Sequence, residues 1–236
     1  MDRDLTFCAE LKKLKKGSTI VGRSGEEFND PPAASTENNL ITLRNLLLDS
    51  KAESTLEIGM AFGASTLVFA STHRDLGRRP CRQHVAIDPY QDTVWDDAGV
   101  LLCEQAELSE YVELQNGFSS EVLPNLVQSG REIDTVYVDG SHLFEDVFID
   151  FYYSCRLLKE GGYILFDDST DEHVKKVLGF IRSNMKNHLQ EIDLSPYRGA
   201  ESWMYRAAKL LGRVQLTGFQ KIGPCKREWN ADFSSF

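Results

Sequence analysis

Beyond residue 50 the chain alternates short β-prone apolar runs with longer stretches in which apolar residues recur every three or four positions. That pattern belongs to a layered α/β fold with a largely parallel sheet. The runs predict strands over 54–59, 84–88, 112–116, 134–139 and 163–167, with helices near 64–75, 97–108, 119–129 and 142–159. In the last of these helices Phe144, Val147, Phe148, Phe151, Cys155 and Leu158 share one face, and Gly161-Gly162 is expected to stop it. A further helix is predicted from Ser169, whose spacing to Glu172 fits a capping box, with Val174, Val177, Leu178, Ile181 and Met185 on one stripe. Residues 203–210 and 214–222, joined by Leu211-Gly212-Arg213, read as an antiparallel pair closing the sheet's edge, which makes seven strands.

The first 35 residues break this alternation. A short helix over 5–16, a glycine-rich stretch and Pro31-Pro32 read as an N-terminal arm or lid (1–35), and residues 36–236 as one domain. The Lys12-Lys13 and Lys15-Lys16 cluster is expected on the solvated face of that helix. With 236 residues, 42% of them hydrophobic and 26% charged, the chain is long and apolar enough to fold without disulfides or structural metal. Its net charge of −10 argues against nucleic acid as a partner. No apolar run approaches the ~20 residues that cross a bilayer, and the Met1-Asp2-Arg3-Asp4-Leu5 start lacks the secretory pattern, so a cytoplasmic protein is expected. Cys8, Cys81, Cys103, Cys155 and Cys225 show no metal-like spacing and read as reduced thiols.

Candidate chemistry begins at Leu56-Glu57-Ile58-Gly59-Met60-Ala61-Phe62-Gly63-Ala64-Ser65-Thr66. A strand ending in an acid runs into a glycine turn and then a helix, which suits a nucleotide-sized ligand. Ala61 stands where a dinucleotide fingerprint has its second glycine. The next strand ends in Asp88, which fits either an acceptor of ribose hydroxyls or a cap for the turn into Pro89. Asp139 and the Asp167-Asp168 pair end two strands that a βαβ crossover makes neighbours, so three carboxylates converge. A hard divalent cation, most naturally magnesium, would relieve their repulsion. His142, three residues beyond Asp139, is then placed to act as a general base. Tyr90, Trp95, Tyr197, Arg198 and Trp203 are candidates for an acceptor pocket near the strand tips.

Together, Glu57-x-Gly59-x-x-x-Gly63-x-Ser65 and Asp88 resemble the cofactor site of class I S-adenosylmethionine-dependent methyltransferases. Asp139-Gly140-Ser141-His142, a long helix, Leu157-Leu158-x-x-Gly161-Gly162 and Asp167-Asp168 are similar to methyltransferase family 24, the macrocin and novobiocin group of O-methyltransferases, over about residues 36–185. The resemblance implies a Rossmann-like α/β fold, a seven-stranded, mostly parallel sheet with an antiparallel last strand and helices on both faces. It implies S-adenosylmethionine held by Glu57, Gly59, Met60, Gly63 and Ser65 at the methionine part, Asp88 at the ribose and Ser119 at the adenine. It further implies magnesium on Asp139, Asp167 and Asp168, with His142 or Asp139 taking the proton from a small-molecule methyl acceptor of sugar or natural-product type. The chain is short for sugar-modifying members, and a homodimer is the commonest assembly for such an enzyme. The competing expectations are a metal-independent N-methyltransferase, a non-catalytic cofactor-binding protein and, least favoured, an NAD-dependent oxidoreductase.

Overall fold

The computed structural model describes residues 1–29, 35–199 and 214–236. In the arm, helix α1 (Ala9–Lys15) is followed by a hairpin of β1 (Ile20–Val21) and β2 (Glu27–Phe28). Helix α2 (Glu37–Ser50) follows, starting where Thr36 Oγ1 accepts from the Asn39 amide at 3.2 Å and ending at a left-handed Lys51. Leu40, Leu43, Leu46 and Leu47 are almost fully buried along it, each contributing about 1.5–3 kcal/mol.

The predicted βα alternation then appears in order: β3 (Thr55–Ile58), α3 (Ala64–Asp75), β4 (His84–Ile87), α4 (Ala98–Gln105), β5 (Val112–Gln115), α5 (Ser119–Gln128), β6 (Ile133–Val138), α6 (Phe144–Leu157), β7 (Leu158–Phe166), α7 (Glu172–Asn184), β8 (Leu189–Glu191) and β9 (Thr217–Lys221). β3 and β4 are buried throughout, as central parallel strands covered on both faces are. The seven-stranded sheet has the order β5-β4-β3-β6-β7-β9-β8. The first five strands in that order run parallel, whereas β9 is antiparallel to β7 and β8. One core lies between the sheet and helices α1 to α4, and a second between the opposite face and α5 to α7. After β5 the chain crosses back to lie beside β3, so strand order reverses between β3 and β6. A crevice for a ligand opens at the strand tips there.

Four expectations are corrected. Helix α6 ends at Leu157, not at the glycines: Lys221 Nζ, from the antiparallel strand, donates to the carbonyls of Cys155 and Leu158, and Gly161-Gly162 fall inside β7. Helix α7 starts after Asp171, whose Oδ1 accepts from the His173 amide; Ser169 is drawn off by bonds to Phe166 and Gln215, so the capping box does not form. The partner of β9 at the sheet edge is β8, while residues 203–210 lie outside the described residues, as does Pro31-Pro32. Cys155 and Cys225 form a disulfide, with Cα atoms 5.6 Å apart, because β9 returns beside the end of α6; Cys8, Cys81 and Cys103 remain free thiols.

Candidate functional site

The glycine loop forms one wall of the crevice. Gly59 has φ 92°, and a Cβ there would sit 2.2 Å from the carbonyl oxygen of Asp139, so only glycine fits. Gly63, at φ 77°, starts α3. The loop is closed from β4: Asp88 Oδ2 accepts from the amides of Met60 at 3.0 Å and Ala61 at 2.8 Å, and Oδ1 accepts from the Tyr90 amide at 2.8 Å. Asp88 is therefore a structural brace for the loop as well as a lining residue of the crevice. Gly59, Met60 and Ser65 also line it. Glu57 does not: it lies fully buried behind the loop, where Thr66 Oγ1 donates to its Oε1 and His84 Nε2 stands 3.1 Å from the same oxygen. The Thr55 hydroxyl links His84 Nδ1 at 3.0 Å to His73 Nε2 at 2.8 Å. Burial, with His84 nearby, pushes His73 down to about 3, so this relay is built from a neutral histidine.

The opposite wall carries the acids. Parallel pairing of Val138 with Phe166 sets Asp139 and Asp167 side by side, with the Asp167 amide on the Val138 carbonyl at 3.1 Å. Asp139 Oδ2 accepts from Ser35 Oγ at 3.0 Å. Asp167 Oδ1 accepts from Asn39 Nδ2 and from the Asp168 amide, both at 2.9 Å, and Oδ2 from the Tyr137 hydroxyl at 2.5 Å. Burial, and then the Asp167 charge, push the Asp139 carboxyl well above the usual range; burial raises Asp167 too, against the pull of Tyr137. Asp168, held at φ 43°, meets His142 Nε2 through Oδ2 at 3.1 Å. His142 lies in the loop before α6 instead of belonging to its first turn. Among the described residues, ligand atoms of Asp139, His142 and Asp168 lie within 4.8 Å of one another. Thus His142 sits inside the acid cluster, while both Asp167 oxygens already have donors.

A cavity of about 790 Å³ joins the two walls, and Ser119, the first residue of α5, lines it between them. Behind Ser119, burial pushes the Asp150 carboxyl up to about 7, with the Ser119 hydroxyl pulling down and the Asp146 charge adding. Of the acceptor-pocket candidates, Tyr90 and Trp95 line the cavity, Tyr197 and Arg198 do not, and Trp203 is outside the described residues. Ser35, Asn39 and Tyr137 were not foreseen. Tyr137 carried the one available signal, a hydroxyl two residues before Asp139 in a strand whose neighbours are aliphatic.

The fold is that of the class I S-adenosylmethionine-dependent methyltransferases. More narrowly, residues 56–169 match methyltransferase family 24, described as a methyltransferase domain. No curated protein matches the chain. Among solved structures it is similar to the O-methyltransferase TomG of Streptomyces achromogenes, involved in tomaymycin synthesis and in complex with S-adenosylmethionine, at 19% identity and TM-score 0.62 over 82% of this chain and 83% of that one. It is also similar to cofactor-bound Rv0187 from MTB, at 17% identity and TM-score 0.62 over 91% and 88%, and to an O-methyltransferase of Bacillus cereus in complex with S-adenosylhomocysteine, at 20% and 0.56 over 69% and 76%. At these identities the likeness is one of fold.

Proposed function

We propose that the protein transfers the methyl group of S-adenosylmethionine to a hydroxyl of a small molecule, with a divalent cation, most naturally magnesium, at the acid cluster. The carrying observation is the single cavity that joins the glycine loop, Asp88 and Ser119 to Asp139, His142 and Asp168. Gly59, Met60 and Ser65 would pack the methionine part, Asp88 would accept from ribose hydroxyls through what remains free on Oδ1, and Ser119 would meet the adenine, while Gly63, which does not line the cavity, would serve by starting α3 against Gly99. Glu57 would act from behind, by holding the loop.

The donor set fits a hard cation: Asp139 is a buried carboxyl beside a second one, both pushed up by burial and by neighbouring acids, Asp167 at Asp139 and Asp168 at Asp167, and positive charge would relieve that cost. Asp139 and Asp168 would hold it, with Asp167 or water completing the set. A bound cation would lower the pKa of the acceptor hydroxyl and help orient it. Asp168 orients His142 as the third group of a triad orients its base. With Nε2–H donated to Asp168, Nδ1 keeps the lone pair that accepts the hydroxyl proton. The acceptor oxygen then forms its bond to the methyl carbon as the carbon–sulfur bond breaks, leaving the proton on His142, and no covalent enzyme intermediate is needed.

Calorimetric titration with S-adenosylmethionine and with NAD separates the classes: binding of the former and none of the latter is expected. Chelator should then abolish transfer to hydroxyl acceptors without displacing S-adenosylmethionine, and magnesium should restore it. Full activity in chelator would remove the cation from this reading and favour a metal-independent N-methyltransferase.

A further inference from the structure

Ser35, from the arm, and Tyr137, from β6, join the two acids of the far wall. The Ser35 hydroxyl lies 3.0 Å from Asp139 Oδ2 and 3.0 Å from the Tyr137 hydroxyl, which itself donates to Asp167 Oδ2 at 2.5 Å. With one hydroxyl proton on Asp139 and the other on Asp167, the two donors stand side by side, their oxygens 3.0 Å apart, and tie together residues 104 and 30 positions apart in the chain. Packing does not require either hydroxyl. The Tyr137 ring is held by apolar neighbours such as Phe69, 6.3 Å away between centroids, and a phenylalanine would fill the same volume. Ser35 is in turn tied down by the arm helix, since Lys15 Nζ donates to its carbonyl at 2.9 Å.

We propose that Ser35 and Tyr137 are positioning residues that fix the rotamers of Asp139 and Asp167 and so set the affinity of the acid cluster for a divalent cation. This rests on the cation reading given above. Two adjacent buried carboxylates repel, and each left to itself would rotate away from the other. The two hydroxyl donors hold both groups in place: Asp139 Oδ1, with no donor among the described residues, is left to face a cation, while Asp167, whose Oδ1 is taken by Asn39 and the Asp168 amide, keeps a lone pair on Oδ2. Outer partners of this kind orient metal ligands, and their loss costs roughly 10- to 100-fold in metal affinity. Because Ser35 belongs to the arm, the arm becomes a working part of the site and not only its cover.

The test measures Mn2+ binding, by calorimetry and by the electron paramagnetic resonance signal of free Mn2+, for the wild type, Tyr137→Phe, Ser35→Ala and Ser35→Thr. S-adenosylmethionine affinity is titrated in parallel. Tyr137→Phe and Ser35→Ala are expected to weaken Mn2+ roughly 10- to 100-fold, Ser35→Thr to retain wild-type affinity, and all three to bind S-adenosylmethionine normally. Should Tyr137→Phe fail to fold, Ser35→Ala and its threonine rescue decide. Unchanged Mn2+ affinity in a folded Ser35→Ala protein would overturn the proposal, as would parallel losses of Mn2+ and S-adenosylmethionine binding. A wild-type protein that binds S-adenosylmethionine but no Mn2+ would overturn the cation reading and this inference with it.

Discussion

The two walls of the cavity hold their carboxylates in opposite ways. Asp88 is surrounded by backbone amides, from Met60, Ala61 and Tyr90, which stabilise negative charge in place without a counter-ion. Asp139 and Asp167 lie side by side, buried, and burial raises both, with the Asp167 charge adding at Asp139 and the Asp168 charge at Asp167, against side-chain donors that pull the other way. The first wall is complete as it stands and suits hydroxyl donors, whereas the second is electrostatically unfinished and suits a positive charge. A methyl transfer site needs both, one to hold the cofactor and one to activate the acceptor.

The largest expected effect lies on the unfinished wall. His142→Ala should lower turnover roughly 100- to 10,000-fold while leaving S-adenosylmethionine affinity unchanged, as loss of a general base does. Single-turnover assays beside calorimetry check it. Retained turnover would move the base role to Asp139 or to water and leave His142 as a partner of Asp168.

Gly59→Ala tests the place where the walls touch. Its Cβ would press into the Asp139 carbonyl carbon and oxygen at a backbone angle that L-residues rarely adopt. A loss of about 3 kcal/mol or more in denaturant unfolding is expected, with cofactor binding impaired. An alanine variant of normal stability would mean that the two walls are not in rigid contact.

Asp150→Asn sharpens the comparison, because Asp150 stands behind the cofactor wall yet resembles the acids opposite. Its folded carboxyl titrates near 7 instead of near 3.8, so the folded chain keeps a proton that the unfolded chain has lost. That stabilisation is complete below about pH 4 and disappears as pH rises through about 7, since the group must then be charged where it is buried. The full shift corresponds to about 4 kcal/mol as an upper bound, and local relaxation reduces it. Asp150→Asn should therefore be more stable than wild type by roughly 1–2 kcal/mol at pH 8 and no more stable at pH 4. Equal stabilities across that range would show that Asp150 is already solvated.

The same contrast explains what could be read from the sequence. The glycine loop, Asp88 and the central strands are local: Asp88 meets partners no more than 28 residues away, and short β-prone stretches mark β3 and β4. The acid wall is assembled from far apart, with Asn39 reaching Asp167 across 128 residues, so the three acids and His142 were visible but Ser35, Asn39 and Tyr137, the donors to Asp139 and Asp167, were not. Helix α2 escaped for a related reason: it buries Asn39, Arg44 and Asn45 among its leucines, which blurs the apolar stripe. Arg44 is acceptable there because its guanidinium meets Asp2 and Asp75, each at 2.6 Å, contacts that no local pattern predicts. The end of α6 and the start of α7 shifted because Lys221 and Gln215, both distant in sequence, supply the competing hydrogen bonds.

The smallest expected effect separates the two roles of Asp88. In Asp88→Asn the side-chain oxygen can still accept from Met60 and Ala61, so the loop should stay closed, while the amide nitrogen replaces Oδ1 and can no longer accept from the Tyr90 amide or a ribose hydroxyl. The variant should lose about 1–2 kcal/mol of S-adenosylmethionine affinity with a smaller loss of unfolding stability. Asp88→Ala would remove both functions and lower both quantities by about 1–3 kcal/mol. If the asparagine variant binds the cofactor as tightly as wild type while its stability falls, Asp88 braces the glycine loop and the ribose finds its acceptor elsewhere. The first wall would then owe its affinity to backbone geometry alone.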